Sequence, residues 1–260
     1  NPIKIVHAVE DTVLHHLPGE VWPYCSWKEL ERNLGELLKG KKKIAMEYSP
    51  RNAIPYLSKV DGGTLELIRS FGIDVVSSAD LLQTALSVWS DEQLQTHLEA
   101  ADLLDRVAAK AWDLIATRLR NKENINELDV QKYIINSINE NGFIASDPPI
   151  CSVNAHSADP HYSPNEMRNS PIKPGDFVLI DLWCKKNTAQ SVYADITRVA
   201  VAASQPIPKQ QEIFLIVKQA RDAATTFLKN RISQGQPIRG WEVDDVARQT
   251  IIEKGYGDYF

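Results

Sequence analysis

The 260 residues are 43% hydrophobic and 24% charged, an ordinary balance for a chain long enough to bury a sizeable core and to form two domains. A net charge of -5 and a pI near 5.7 argue against a nucleic-acid backbone as partner. No apolar run approaches the roughly 18 residues that span a bilayer, no signal peptide opens the chain, and three cysteines without CxxC spacing fit a reducing, cytoplasmic setting.

In chain order, KIVHAV (4–9) and KIAMEY (43–48) read as short strands. Between them SWKELERNLGELLKG (26–40) reads as a helix with a Ser26 N-cap, one leucine face and a Gly40 stop. The lysines 39 and 41–43 that follow read as a solvated turn. A second helix over 62–72 ends in Gly72, and 73–83 supplies another strand and a turn, so residues 1–90 predict an α/β layer. Apolar residues at three- and four-residue steps from Leu94 to Leu119 then predict a long helix over 91–120, N-capped by Ser90. A shorter helix over 127–141 stops at Gly142. Strand candidates follow at 149–153, 176–184 and 192–202, then helices over 209–232 and 243–254, the last stopped by Gly255.

The second helix pair repeats the first at an offset of 113 residues. Ala111, Ile115 and Arg118 fall on Ala224, Leu228 and Arg231, and Ile138, Gly142 and Phe143 on Ile251, Gly255 and Tyr256. The first copy (91–203) carries three strands after its helices. The second stops where its strands should begin, leaving half of a pseudo-symmetric sheet outside these residues. The opening Asn1 and the closing KGYGDYF both suggest cut ends.

Two carboxylates stand inside otherwise apolar strands, Asp181 in VLIDLWC and Asp195 in YADITR. A lone buried carboxylate is costly, so such residues pair with cations or hold a metal. A hairpin brings the two side by side, where a divalent cation would remove their repulsion. The alternative is that one pairs with Arg198 and the other caps a turn. Just upstream, His156 and His161 in CSVNAHSADPHYSP are candidates for a substrate or leaving-group contact, or are simply exposed loop histidines. Cys184 reads as a buried structural cysteine.

At this point the sequence resembles a known family. KPGDFVLIDLW followed by VYADITR is similar to the metal-binding strand pair of the creatinase, prolidase and methionine aminopeptidase family, whose fold is called pita-bread. NAHSADPHY resembles that family's asparagine-to-histidine loop. The resemblance runs from about Ser90 to Phe260, while 1–90 resembles the later part of the smaller N-terminal domain of prolidases and Xaa-Pro aminopeptidases. The implied fold is α/β (α+β), a partial N-terminal α/β domain over 1–90 followed by an incomplete pita-bread domain over 91–260.

The resemblance implies that Asp181 is the bidentate ligand of one metal ion and Asp195 bridges two. His161 would contact substrate near the scissile bond, and Thr197 would support the bridging group. One His and two Glu ligands, one Glu being the proton shuttle, would lie beyond Phe260. Two divalent ions, Mn, Co, Zn or Fe(II), would activate a water and polarise the peptide carbonyl. The implied reaction is hydrolysis of an N-terminal peptide bond ahead of proline, by a cytoplasmic homodimer with a peptide as its substrate; these 260 residues alone are expected to be inactive. Two other readings stay open, a pita-bread binding module without catalysis and a creatinase-like C–N hydrolase. The spacing of 14 from Asp181 to Asp195 is wider than in many members and implies a long hairpin loop at the site rim.

Overall fold

In the computed structural model, which describes residues 1–10 and 12–259, the chain divides into two units, Asn1–Ser90 and one that begins at Asp91. The first unit holds two parallel strand pairs, β1 (Ile3–His7) with β2 (Glu20–Tyr24) and β3 (Lys43–Met46) with β4 (Asp74–Ser77). Its helices are α1 (Trp27–Leu38), α2 (Gly62–Ser70) and α3 (Ala79–Leu86). Ser26 caps α1 as its sequence predicts, its side chain accepting from the Glu29 amide, and Asp61 caps α2 in the same way. A parallel pair needs a crossover connection, and α2 supplies it between β3 and β4, packing Ile68 against Ile73 and Val75. Two elements differ from expectation. β2 holds Pro23, a residue that demotes a strand in sequence, and α3 replaces the turn expected after β4.

The second unit opens on α4 (Asp91–Arg120) and α5 (Glu127–Glu140). After the two-residue β5 (Phe143–Ile144) come β6 (Ile150–Val153), β7 (Phe177–Lys186) and β8 (Ala194–Val201), all three partners of β7 running antiparallel to it. Helices α6 (Pro208–Ser233) and α7 (Gly240–Ile252) pack on each other. Along β7 every second residue is buried, namely Val178, Ile180, Leu182 and Cys184. These pack with Leu104, Val107, Ala108 and Ala111 of α4 and Val130, Ile134 and Ile138 of α5 in one core. Successive strand side chains face opposite ways, so Leu179, Asp181 and Trp183 lie on the face that this core leaves free. Among the described residues no helix is long and apolar enough to cross a membrane.

The 113-residue repeat recurs in equivalent hydrogen bonds at the helix ends. The Glu123 amide donates to the Arg118 carbonyl and the Gln236 amide to the Arg231 carbonyl, each at 2.9 Å. Asp129 accepts from the Asn126 amide at the start of α5, and Glu242 from the Arg239 amide at the start of α7. Both second helices stop at a glycine with positive φ, 80° at Gly142 and 84° at Gly255.

Candidate active site

The register of the β7–β8 hairpin pairs Asp181 with Thr197 and Trp183 with Asp195. Residues directly opposite in an antiparallel pair project to the same face, so Asp181 and Asp195 are diagonal neighbours on the face away from the core. On the other side of β7, Ile150 of β6 stands opposite Asp181. Arg198 points elsewhere and pairs with Asp105 of α4 at 2.9 Å, so the alternative in which it neutralises one of the aspartates does not hold. Thr197 donates its hydroxyl to Asp181 Oδ1 at 2.6 Å. Its support therefore goes to the carboxylate on β7 and not to Asp195, where the sequence resemblance put it.

Partial desolvation, and then the negative charge of Asp181, hold the Asp195 carboxyl above the usual aspartate range. Two hard oxygen donors that repel each other and open onto solvent suit a divalent cation. Among the described residues no group of three or more His, Cys, Asp or Glu side chains converges as a metal site.

A cavity of about 650 Å³ opens over this face, lined by Asp181, Asp195, His161, Trp183, Tyr193 and Ile150 among others. The histidine loop is held by a residue that the sequence reading passed over. Glu127, at the start of α5, is fully buried. Its Oε1 accepts from the Val153 amide at 2.7 Å and contacts His156 Nδ1 at 2.9 Å, and its Oε2 accepts from the Tyr162 hydroxyl at 2.5 Å and the Ser170 amide at 2.6 Å. The fully buried Tyr162 stacks on His156 with ring centroids 4.3 Å apart, and burial together with the Glu127 carboxylate pushes its phenol up.

The two histidines thus part company. His161 lines the cavity beside the aspartates. His156 lies outside the lining, committed to Glu127, and its expected substrate contact is replaced by a loop-fixing one. Nothing in the local sequence marks Glu127, because an acid in the first turn of a helix ordinarily reads as a dipole partner. Cys184 is buried on the core face, where desolvation pushes its thiol up to about 12.

Residues 96–260 match the model of metallopeptidase family M24. The chain belongs to that family. A recombinant prolidase from Thermococcus sibiricus superposes with a TM-score of 0.60 at 22% identity, over 99% of this chain and 65% of that one. An X-prolyl aminopeptidase from Caenorhabditis elegans, described as a cytosolic enzyme with a di-nuclear active site, gives 0.62 at 17% identity over 93% of this chain and 37% of its own. At such identities these likenesses show the fold, which is the pita-bread fold of the family, carried here in part. An uncharacterized peptidase from Staphylococcus saprophyticus is 27% identical over 198 residues, 75% of this chain and 51% of that protein. The chain spans about half the length of the curated relatives it matches.

Proposed function

We propose that the full-length gene product carrying this M24 chain is a metal-dependent exopeptidase that cleaves an N-terminal peptide bond ahead of proline. The observation that carries the reading is that Asp181, Asp195 and His161 line one cavity. The prolidase and X-prolyl aminopeptidase names of the structural neighbours support the proline preference, and residues 1–90 would be the later part of an N-terminal domain of the prolidase type.

Asp181 and Asp195 would hold divalent ions, of Mn, Co, Zn or Fe. Such ions, when bound, polarise a carbonyl and acidify water. The chain's own contribution is positional. Thr197 fixes one oxygen of Asp181, which leaves the other free to act as a donor. His161, carried beside the anchored Tyr162, presents an imidazole to the same space, suited to hydrogen-bond a substrate oxygen as negative charge develops there. A homodimer is part of the proposal, and sedimentation of the full-length protein tests it.

The test of function is metal content together with dipeptide hydrolysis. Bound ions and turnover of Xaa-Pro dipeptides, both lost in Asp181→Ala and Asp195→Ala, are expected. Turnover of non-proline peptides alone would sink the proline preference. Absence of both metal and hydrolysis would leave the pita-bread binding module as the better reading.

A further inference from the structure

The cavity has a second chemical character beside its carboxylates. Trp183 stands directly opposite Asp195 in the hairpin register, on the same face and one row along β7 from Asp181. Tyr193, two residues before Asp195, lines the same space, as does Ile150. Both aromatic side chains are only partly buried, so each keeps apolar surface available beside the polar centre.

Tyr193 is also held in place, although it precedes β8 at the end of a long hairpin loop. Its carbonyl oxygen contacts His97 Nδ1 at 2.7 Å, and the neighbouring Val192 amide donates to Thr96 Oγ1 at 3.1 Å. Both contacts come from one turn of α4. Lys185 Nζ lies 5.3 Å from the centre of the Tyr193 ring, so this ring already has a cation against it. The charged groups lining the cavity are the acids Asp147, Asp181 and Asp195, with no lysine or arginine among the described lining residues. In the metal-free cavity an acidic side chain is therefore repelled, while the two rings offer apolar surface to an uncharged one. The volume of about 650 Å³ falls within the range of small-ligand sites.

We infer that Trp183 and Tyr193 form a side-chain subsite that selects a large apolar or aromatic residue next to the scissile bond. The inference rests on the Xaa-Pro reading: with proline on the leaving side, the side chain free to vary is that of Xaa, and the aromatic wall reads it. Burying a large side chain against two rings removes apolar area from water. A difference of a few methylenes in such a pocket changes specificity by roughly 10- to 200-fold.

The experiment measures kcat/KM for Phe-Pro, Leu-Pro, Gly-Pro and Asp-Pro on the full-length protein loaded with manganese. Phe-Pro and Leu-Pro are expected to exceed both Gly-Pro and Asp-Pro by about tenfold or more, since neither of the latter brings a large apolar side chain to the rings. Trp183→Ala is expected to lower the Phe-Pro to Gly-Pro ratio about tenfold, chiefly through KM, while Trp183→Phe and Tyr193→Phe preserve it. An unchanged ratio in folded Trp183→Ala overturns the subsite. Calorimetric titration of Phe-Pro and Gly-Pro in EDTA separates the two claims. Preferential binding of Phe-Pro that disappears in Trp183→Ala supports the subsite even where no dipeptide is hydrolysed, an outcome that sinks only the Xaa-Pro reading. Equal binding of the two dipeptides by the parent protein and by Trp183→Ala counts against the subsite.

Discussion

At the scale of single residues, two carboxylates do opposite jobs. Glu127 is buried and satisfied, gathering Val153, His156, Tyr162 and Ser170 around one side chain. Its counterpart in the second copy of the repeat is Gly240, also the first residue of its helix. The helix start therefore does not require an acid, and Glu127 serves the loop that carries His161. Glu127→Gln replaces one accepting oxygen with a donor amide that faces existing donors. It is expected to cost about 1–3 kcal/mol, read as a lower urea midpoint, with faster amide exchange across residues 153–162. An unchanged midpoint would show that the clamp is dispensable.

Asp195 pays a stability penalty of the opposite kind, because its charged form is disfavoured where it sits. A carboxyl raised above its unfolded value contributes stability while protonated and loses that contribution as the pH climbs through its folded pKa. Asp195→Asn is therefore expected to raise the Tm of the metal-free protein at pH 7. The gain should fade as the pH falls into the range where Asp195 protonates, above the ordinary aspartate value of about 3.9. The same substitution is expected to weaken metal binding. A lower Tm at pH 7 without metal would mean that neither burial nor Asp181 disfavours the charged form of Asp195.

At the scale of elements, periodicity made most of the second unit legible. The helix expected over 91–120 is α4, and the strand expected over 176–184 is β7, which begins one residue later and ends two later. The apolar run FVLIDLW gave the strand, whereas the alternation that sends Asp181 one way and Ile180 the other depends on a core on one side only. Pro23 hid β2, and the Thr197 contact was placed on the wrong aspartate because register fixes which residues stand opposite. The repeat extends to the turn after each long helix, where Lys122 has φ 60° and its counterpart Gly235 has φ 63°. A side chain in that region costs about 1–2 kcal/mol, and glycine returns part of the gain through its freer unfolded state. Lys122→Gly is expected to raise the urea midpoint by about 0.5 kcal/mol of stability. Gly142→Ala is expected to lower it by about 1 kcal/mol, since an added Cβ at Gly142 meets nothing within 4 Å and the cost is conformational alone.

At the scale of the whole molecule, the family was legible in two segments, NAHSADPHY and the strand pair that carries Asp181 and Asp195. Their joint presence in one cavity needed the fold, because His161 and Asp195 are 34 positions apart in sequence. The cavity wall formed by Trp183 and Tyr193 was not legible at all, since an aromatic in a strand reads as core until its face is known. The donor set leads to a last prediction. A ligand that binds only the folded state stabilises it by RT ln(1 + [L]/Kd), so the thermal shift at fixed metal concentration reports affinity. Two carboxylates bring few hard donors to an ion, and each further protein ligand tightens the site. If the family resemblance holds for the remaining one His and two Glu, manganese should shift the Tm of the full-length gene product by more than it shifts that of residues 1–260. Asp181→Asn should erase the shift in both. Equal shifts in the two forms would mean that the ligands all lie within these 260 residues. The proton shuttle would then have to be sought among the acids already lining the cavity, with Asp147 the first to replace.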